Sequence, residues 1–132
     1  MATLEDVRRI ALRLPEVTEY IEGHGGAPAW RTKRGMLAWV RGPRKSDLKQ
    51  LAALGRSWPD GTVVAIRVDG DDSKQTLLTV HAEALFTVPH FDGYPAVLAI
   101  LEKLDVDLLE DLLLAAWTTR VSRTAAKKYL GA

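Results

Sequence analysis

Proton transfer, metal binding and charge attraction each need particular side chains at particular spacings, and this sequence is uneven in what it offers. His90 and Asp92 flank Phe91, with Tyr94 close by, and a His–Asp pair of this kind can act as a general base. Such a pair needs a nucleophile or a held water, and no Ser or Thr stands in a recognisable nucleophile elbow. Pro89 and Pro95 fix φ and Gly93 permits a left-handed turn, so the segment reads as a rigid corner rather than a catalytic loop. His24, His81 and His90 lack metal-ligand spacing, and with no cysteine in the chain a thiolate nucleophile, a disulfide and a cysteine-ligated metal are excluded. Asp69, Asp71 and Asp72 begin like a calcium loop, but the rest of that pattern is missing and a helix start is the expected role. Gly23-x-Gly25-Gly26 fits neither a phosphate loop nor a dinucleotide fingerprint. No cofactor, no metal and no enzyme activity are expected.

Charge is the stronger signal. The formal net charge of +1 conceals a segregation along the chain. Residues 31–56 carry Arg31, Lys33, Arg34, Arg41, Arg44, Lys45, Lys49 and Arg56 against Asp47 alone, whereas residues 57–111 carry three basic and eleven acidic side chains. Segregation of this kind makes a local field. Cations on a hairpin beside a helix N-terminus suit phosphate, because the terminal N–H groups also favour anions. Trp30 and Trp39 would supply stacking surface next to them. The plainer alternative is a solvated face over two core tryptophans, its cations balancing the acidic half of the same domain.

These residues need a scaffold. At 132 residues and 47% hydrophobic, the chain suits one domain with one real core. Acidic and basic residues interrupt the N-terminus where a signal peptide would be apolar, and the run 108–117 is too short to cross a bilayer, so a cytosolic protein is expected. Thr3 and Asp6 form a capping-box pattern ahead of Leu4, Val7, Ile10, Ala11 and Leu14 at helical spacing, ended by Pro15. Strands are expected over 29–33 and 36–41. If Arg34-Gly35 is a two-residue loop, Trp30 faces Trp39; if the loop has three residues, the pairing shifts by one. Ser46 reads as the N-cap of a helix stopped by Gly55, followed by a strand at 62–68 and a helix from Asp71/Asp72 to about Val80. Strands at 85–88 and 96–101, a helix over 107–120 and a last helix capped by Ser122 and stopped by Gly131 complete the order. Short strands with hairpin links and interspersed helices predict an α+β two-layer sandwich, a mostly antiparallel sheet covered by helices.

Taken together, Leu14-Pro-Glu-Val-Thr-Glu19, Pro28-Ala-Trp30-Arg, Gly35-Met-Leu-Ala-Trp39, Thr87-Val-Pro-His-Phe-Asp-Gly-Tyr-Pro95 and Ala115-Ala-Trp117 resemble the MmcQ/YjbR family of small bacterial proteins. The similarity runs nearly the full length, and residues 89–95 are its most specific piece. The resemblance implies one domain over 1–132, a double-wing fold and a DNA-binding role, with no catalytic residues to carry over. Two departures stand out: the long, basic stretch 42–60, and His24 where most relatives have an aromatic. The expected function is non-enzymatic DNA binding with weak sequence preference, through Arg31, Lys33, Arg34, Arg41, Arg44, Lys45 and Lys49. The alternative is a small-molecule or protein-binding module with a cleft near His24, Trp30, His90 and Tyr94.

Overall fold

The first helix forms as its sequence dictates. In this computed structural model, which describes residues 1–21 and 27–131, the Thr3 hydroxyl accepts from the Asp6 N–H while the Asp6 carboxylate accepts from the Thr3 N–H. That box opens α1 (Leu4–Arg13), which buries Val7, Ile10 and Ala11. Then follow β1 (Thr18–Ile21), β2 (Pro28–Thr32), β3 (Gly35–Val40), α2 (Lys45–Ala53), β4 (Val63–Arg67), α3 (Asp71–Val80), β5 (Leu85–Phe86), β6 (Ala96–Ile100), α4 (Val106–Thr118) and α5 (Arg123–Leu130). A 3-10 turn at Pro89–Phe91 stands between β5 and β6.

The six strands form one antiparallel sheet in the order β1-β2-β3-β4-β6-β5. This is the expected α+β sandwich with one strand more than the sequence pattern suggested. β1 is a four-residue edge strand, too short for its alternation to stand out, and it is held by pairing Thr18 with Arg31 and Ile21 with Pro28.

Strand alternation sorts side chains onto two faces. One face carries Trp30, Leu37, Val64, Ile66, Val97 and Ala99, packed against α1 and α4 with partly buried residues of α3 and α5. The other carries Val63, Ala65, Ala96, Leu98 and Ile100, with Leu51 of α2 and Phe91 of the turn over them. The hairpin register separates the two tryptophans. Thr32 pairs with Gly35, so the loop residues are Lys33 and Arg34, and a bulge after Trp30 then sets Trp30 opposite Ala38 and Ala29 opposite Trp39. Trp30 enters the helix-covered core and Trp39 packs on the opposite face. No helix among the described residues is long and apolar enough to cross a membrane.

Candidate nucleic-acid interface

The hairpin tip does not protrude. The Thr32 hydroxyl donates to the Arg120 carbonyl and accepts from the Arg34 N–H at 3.1 Å, and the Arg34 guanidinium reaches the Val121 carbonyl at 3.4 Å. Arg120 in turn donates from Nε to the Met36 carbonyl at 3.1 Å. The backbone conformation of Gly35 calls for glycine here. Its φ is +133°, and a Cβ would stand 3.3 Å from Arg120 Cζ. The tip is therefore docked on the α4–α5 corner, leaving Lys33 and Arg34 exposed. Arg31 is half-buried, its Cζ 5.7 Å from the centre of the Tyr20 ring.

Arg41 departs most from its expected role. It is 5% exposed and donates from Nη1 to Asp47 Oδ2 at 2.8 Å, and Asp47 is fully buried. The same carboxylate oxygen accepts from the Arg44 N–H at 2.8 Å, which starts α2 two residues before the Ser46 cap read from the sequence. Arg41 Cζ also lies 5.4 Å from the Phe91 ring centre and 5.9 Å from that of Trp58. Burial pushes the Asp47 carboxyl up, but the Arg41 guanidinium, the Arg44 N–H and the charge on His90 together bring it below its usual range. Arg41 is thus a structural cation within an ion pair rather than a free phosphate contact. Since Arg41 and Asp47 cancel, seven cations of residues 31–56 are left with no acid among them. Arg44, Lys45 and Lys49 stand exposed around the start of α2.

The turn at residues 89–95 is a rigid corner, held from a place the sequence did not suggest. Lys74 of α3 is 2% exposed, and its ammonium donates to the Phe91 carbonyl at 2.6 Å and the Tyr94 carbonyl at 2.8 Å. Burial pushes its pKa down, against the pull of Asp92 and Asp71. The clue was a lysine three and four residues ahead of Leu77 and Leu78, on the inward stripe of its helix. Asp71 and Asp72 lie in the first turn of α3 after Gly70, in the helix-start role, and no cluster of three His, Asp or Glu among the described residues is placed to hold a metal.

The clamp sets Phe91 and Tyr94 beside Trp39. Tyr94 meets Trp39 edge-on at 6.3 Å between ring centres and Phe91 at 5.4 Å. Arg67 of β4 lies with its Cζ 5.1 Å from the Tyr94 ring centre; it shares a face with Val63 and Ala65, a period-2 signal that sequence reading did not use. Between these groups opens a cleft of about 230 Å³, lined by Met36, Trp39 and Phe91 together with Arg41, Arg44, His90 and Tyr94. A second space of about 230 Å³ shares Met36, Trp39, Arg41 and Arg44 and continues past Ala27 and Gly42. Of the expected cleft residues, His90 and Tyr94 do come together. Trp30 does not: it is 1% exposed on the opposite face, its indole N–H donating to Glu19 at 2.8 Å. His24 lies outside the described residues.

A third cleft, of about 470 Å³ between α3 and α4, is mainly acidic: Asp69, Asp72 and Asp111 stand around Leu77, Leu108 and Leu112, with Arg67 also in its lining. The charge segregation along the chain thus becomes a segregation in space, basic at the Trp39 cleft and acidic at the α3–α4 cleft.

No family model matches the chain. Uncharacterized proteins of Mycobacterium bovis and Mycobacterium tuberculosis are 40% identical to it over 131 residues, covering 98% of this chain and 97% of theirs. Among solved structures, Deinococcus radiodurans protein DR2400, a DUF419 domain, superposes with a TM-score of 0.68 over 99% of this chain and 89% of that one. Sequence identity there is 19%, so this likeness speaks for the fold alone.

Proposed function

We propose that this chain, which belongs to one family with those uncharacterized mycobacterial proteins, is a cytosolic nucleic-acid-binding protein that performs no catalysis. The wider family is MmcQ/YjbR, a reading supported by residues 89–95 and by the fold shared with the DUF419 domain. The observation that carries the function is the junction of uncompensated cations and half-exposed aromatic rings on one side of the sheet. Arg44 lines the surface formed by Met36, Trp39 and Tyr94, Arg31 stands opposite Met36 across the hairpin, and Lys45 and Lys49 follow Arg44 along the exposed start of α2. Cations dispersed for solubility alone have no reason to gather at exposed rings, whereas a phosphate backbone with bases attached requires both. Affinity is then mainly electrostatic, with weak sequence preference, because no helix among the described residues combines Asn, Gln and Arg for reading base edges.

The test is fluorescence anisotropy with labelled duplex and single-stranded DNA at roughly 50 and 200 mM salt, the range in which phosphate contacts are most visible. With about five phosphates neutralised, the log–log slope against salt is expected near −4 to −5 on duplex and −3 to −4 on single strands. Replacing Arg44, Lys45 and Lys49 together by Ala should flatten either slope by about 2 to 3. Absence of binding to both DNAs at the lower salt, with circular dichroism of a folded protein, overturns the proposal.

A further inference from the structure

We infer that the Trp39 cleft takes the unpaired bases of a single strand, two neighbouring bases lying on either side of Trp39 with the linking phosphate at Arg44. The inference rests on the nucleic-acid reading above and narrows it to one form of nucleic acid.

Size is the first argument. Each lobe is about 230 Å³, below the roughly 300–1,000 Å³ of sites that engulf a whole small molecule. One flat group fits in each lobe, presented by something larger that stays outside.

Sharing is the second. The two lobes have Met36, Trp39, Arg41 and Arg44 in common, so one exposed cation, Arg44, and an aromatic ring lie between them. A polymer repeating flat group, anion, flat group has that pattern, and an unpaired polynucleotide is such a polymer.

Rigidity is the third. Trp39 is held in a paired central strand, opposite Ala29 on one side and Ala65 on the other. Tyr94 belongs to the corner that Lys74 clamps. The Arg41–Asp47 pair fixes the start of α2 and with it the backbone of Arg44. A preformed surface loses little entropy on binding, which favours stacking as a source of affinity.

Duplex DNA offers none of its base faces to such a surface, since they are stacked on one another within the helix. Against a duplex, the cations would act and the rings would contribute nothing.

The experiment compares three DNA probes of about ten nucleotides against the whole protein by anisotropy at about 50 mM salt: a mixed-sequence single strand, its duplex, and a single strand in which every base is replaced by an abasic sugar. The intact strand should bind at least about 30-fold tighter than the abasic one, the low end for stacking two bases on an aromatic side chain. Trp39→Ala should weaken the intact strand by a similar factor, so that the ratio of intact to abasic affinity collapses toward one. Trp39→Phe, which retains a ring, should recover most of the loss, and the abasic comparison needs no variant at all. Equal affinity for intact and abasic strands overturns the inference while leaving phosphate binding standing. A duplex bound as well as the single strand does the same. A nucleoside monophosphate bound as tightly as the ten-nucleotide strand would overturn it in favour of a small-molecule cleft, and failure of every strand to bind removes the broader reading with it.

Discussion

Two tryptophans on adjacent strands, nine positions apart, meet opposite fates. Trp30 lies in the helix-covered face at 1% exposure, and its indole N–H donates to Glu19, which also accepts two bonds from Arg8 of α1 at 2.8 and 3.0 Å. On that face the polar tip of an aromatic ring is matched inside the protein. Trp117 follows the same rule, donating to the Pro15 carbonyl at 2.8 Å. Trp39 on the other face remains half-exposed, beside a cleft that Arg41 and Arg44 help to line. One side of the sheet is finished as a core and the other ends partway, under α2 and the 89–91 turn. The difference teaches that the same residue type serves stability on one face and leaves contact area for a partner on the other.

The largest expected effect is the asymmetry itself. Trp30→Ala should cost about 3–5 kcal/mol of unfolding free energy, as for other buried aromatic truncations, and also leave Glu19 without one of its donors. Trp39→Ala should cost only about 1–2 kcal/mol, since part of its ring is already in water. Urea denaturation of both variants measures the pair. Equal losses would mean that Trp39 is a core residue like its neighbour, and the cleft would lose its claim as a binding surface.

Next in size is the buried pair that frames the open face. Asp47→Asn leaves the Arg41 guanidinium uncompensated at 5% exposure and should destabilise by about 3 kcal/mol, the low end for breaking a buried pair because Asn still accepts the Arg44 N–H. Replacing both residues by apolar side chains should cost much less, or nothing. A single variant as stable as the wild type would show that Arg41 finds water, and would return it to the set of available phosphate contacts.

The sequence disclosed the helix-covered face better than the open one, for a physical reason. α1, α4 and α5 are built from local signals, the Thr3 box, the leucine stripe of α4 and the Ser122 cap, each readable within a few residues. The open face depends on non-local facts. The bulge after Trp30 decides which tryptophan faces which layer, and a one-residue change of register was left open by the loop sequence. Arg41 and Asp47 are six apart and looked like two members of a basic stretch and its lone acid; only their joint burial reveals a pair. Lys74 reaches a turn some twenty residues further along the chain, which no spacing rule predicts. His90 and Tyr94 were legible as a cleft because they share one short turn, whereas Trp30 was assigned to it on the strength of residue type.

The smallest expected effect separates the two faces by pH and salt. Glu19, on the covered face, titrates below the usual 4.5, chiefly because Arg8 donates to its carboxylate, with burial opposing and the Trp30 N–H assisting. Asp47, under the open face, titrates below 3.8 by a different balance, burial working against the Arg41, Arg44 and His90 contributions that outweigh it. For a carboxyl whose folded pKa is depressed, the unfolded chain binds protons first. Its stabilisation is therefore complete above the unfolded value and is lost as pH falls through the folded one. Melting temperatures should hold level above 4.5 and then drop, Glu19 contributing to the loss below 4.5 and Asp47 below 3.8. Glu19→Gln and Asp47→Asn should each flatten that acid limb within its own window. Salt tells them apart. Arg8 has a side chain 46% exposed, so raising ionic strength from about 0.05 to about 0.5 M should shrink the Glu19 contribution, while the enclosed Arg41–Asp47 pair is screened far less. Thermal melts of the two variants across pH at both salt concentrations make the check. An Asp47 contribution that fades with salt as fast as that of Glu19 would place water around Arg41, and the two faces would then differ in aromatic exposure alone.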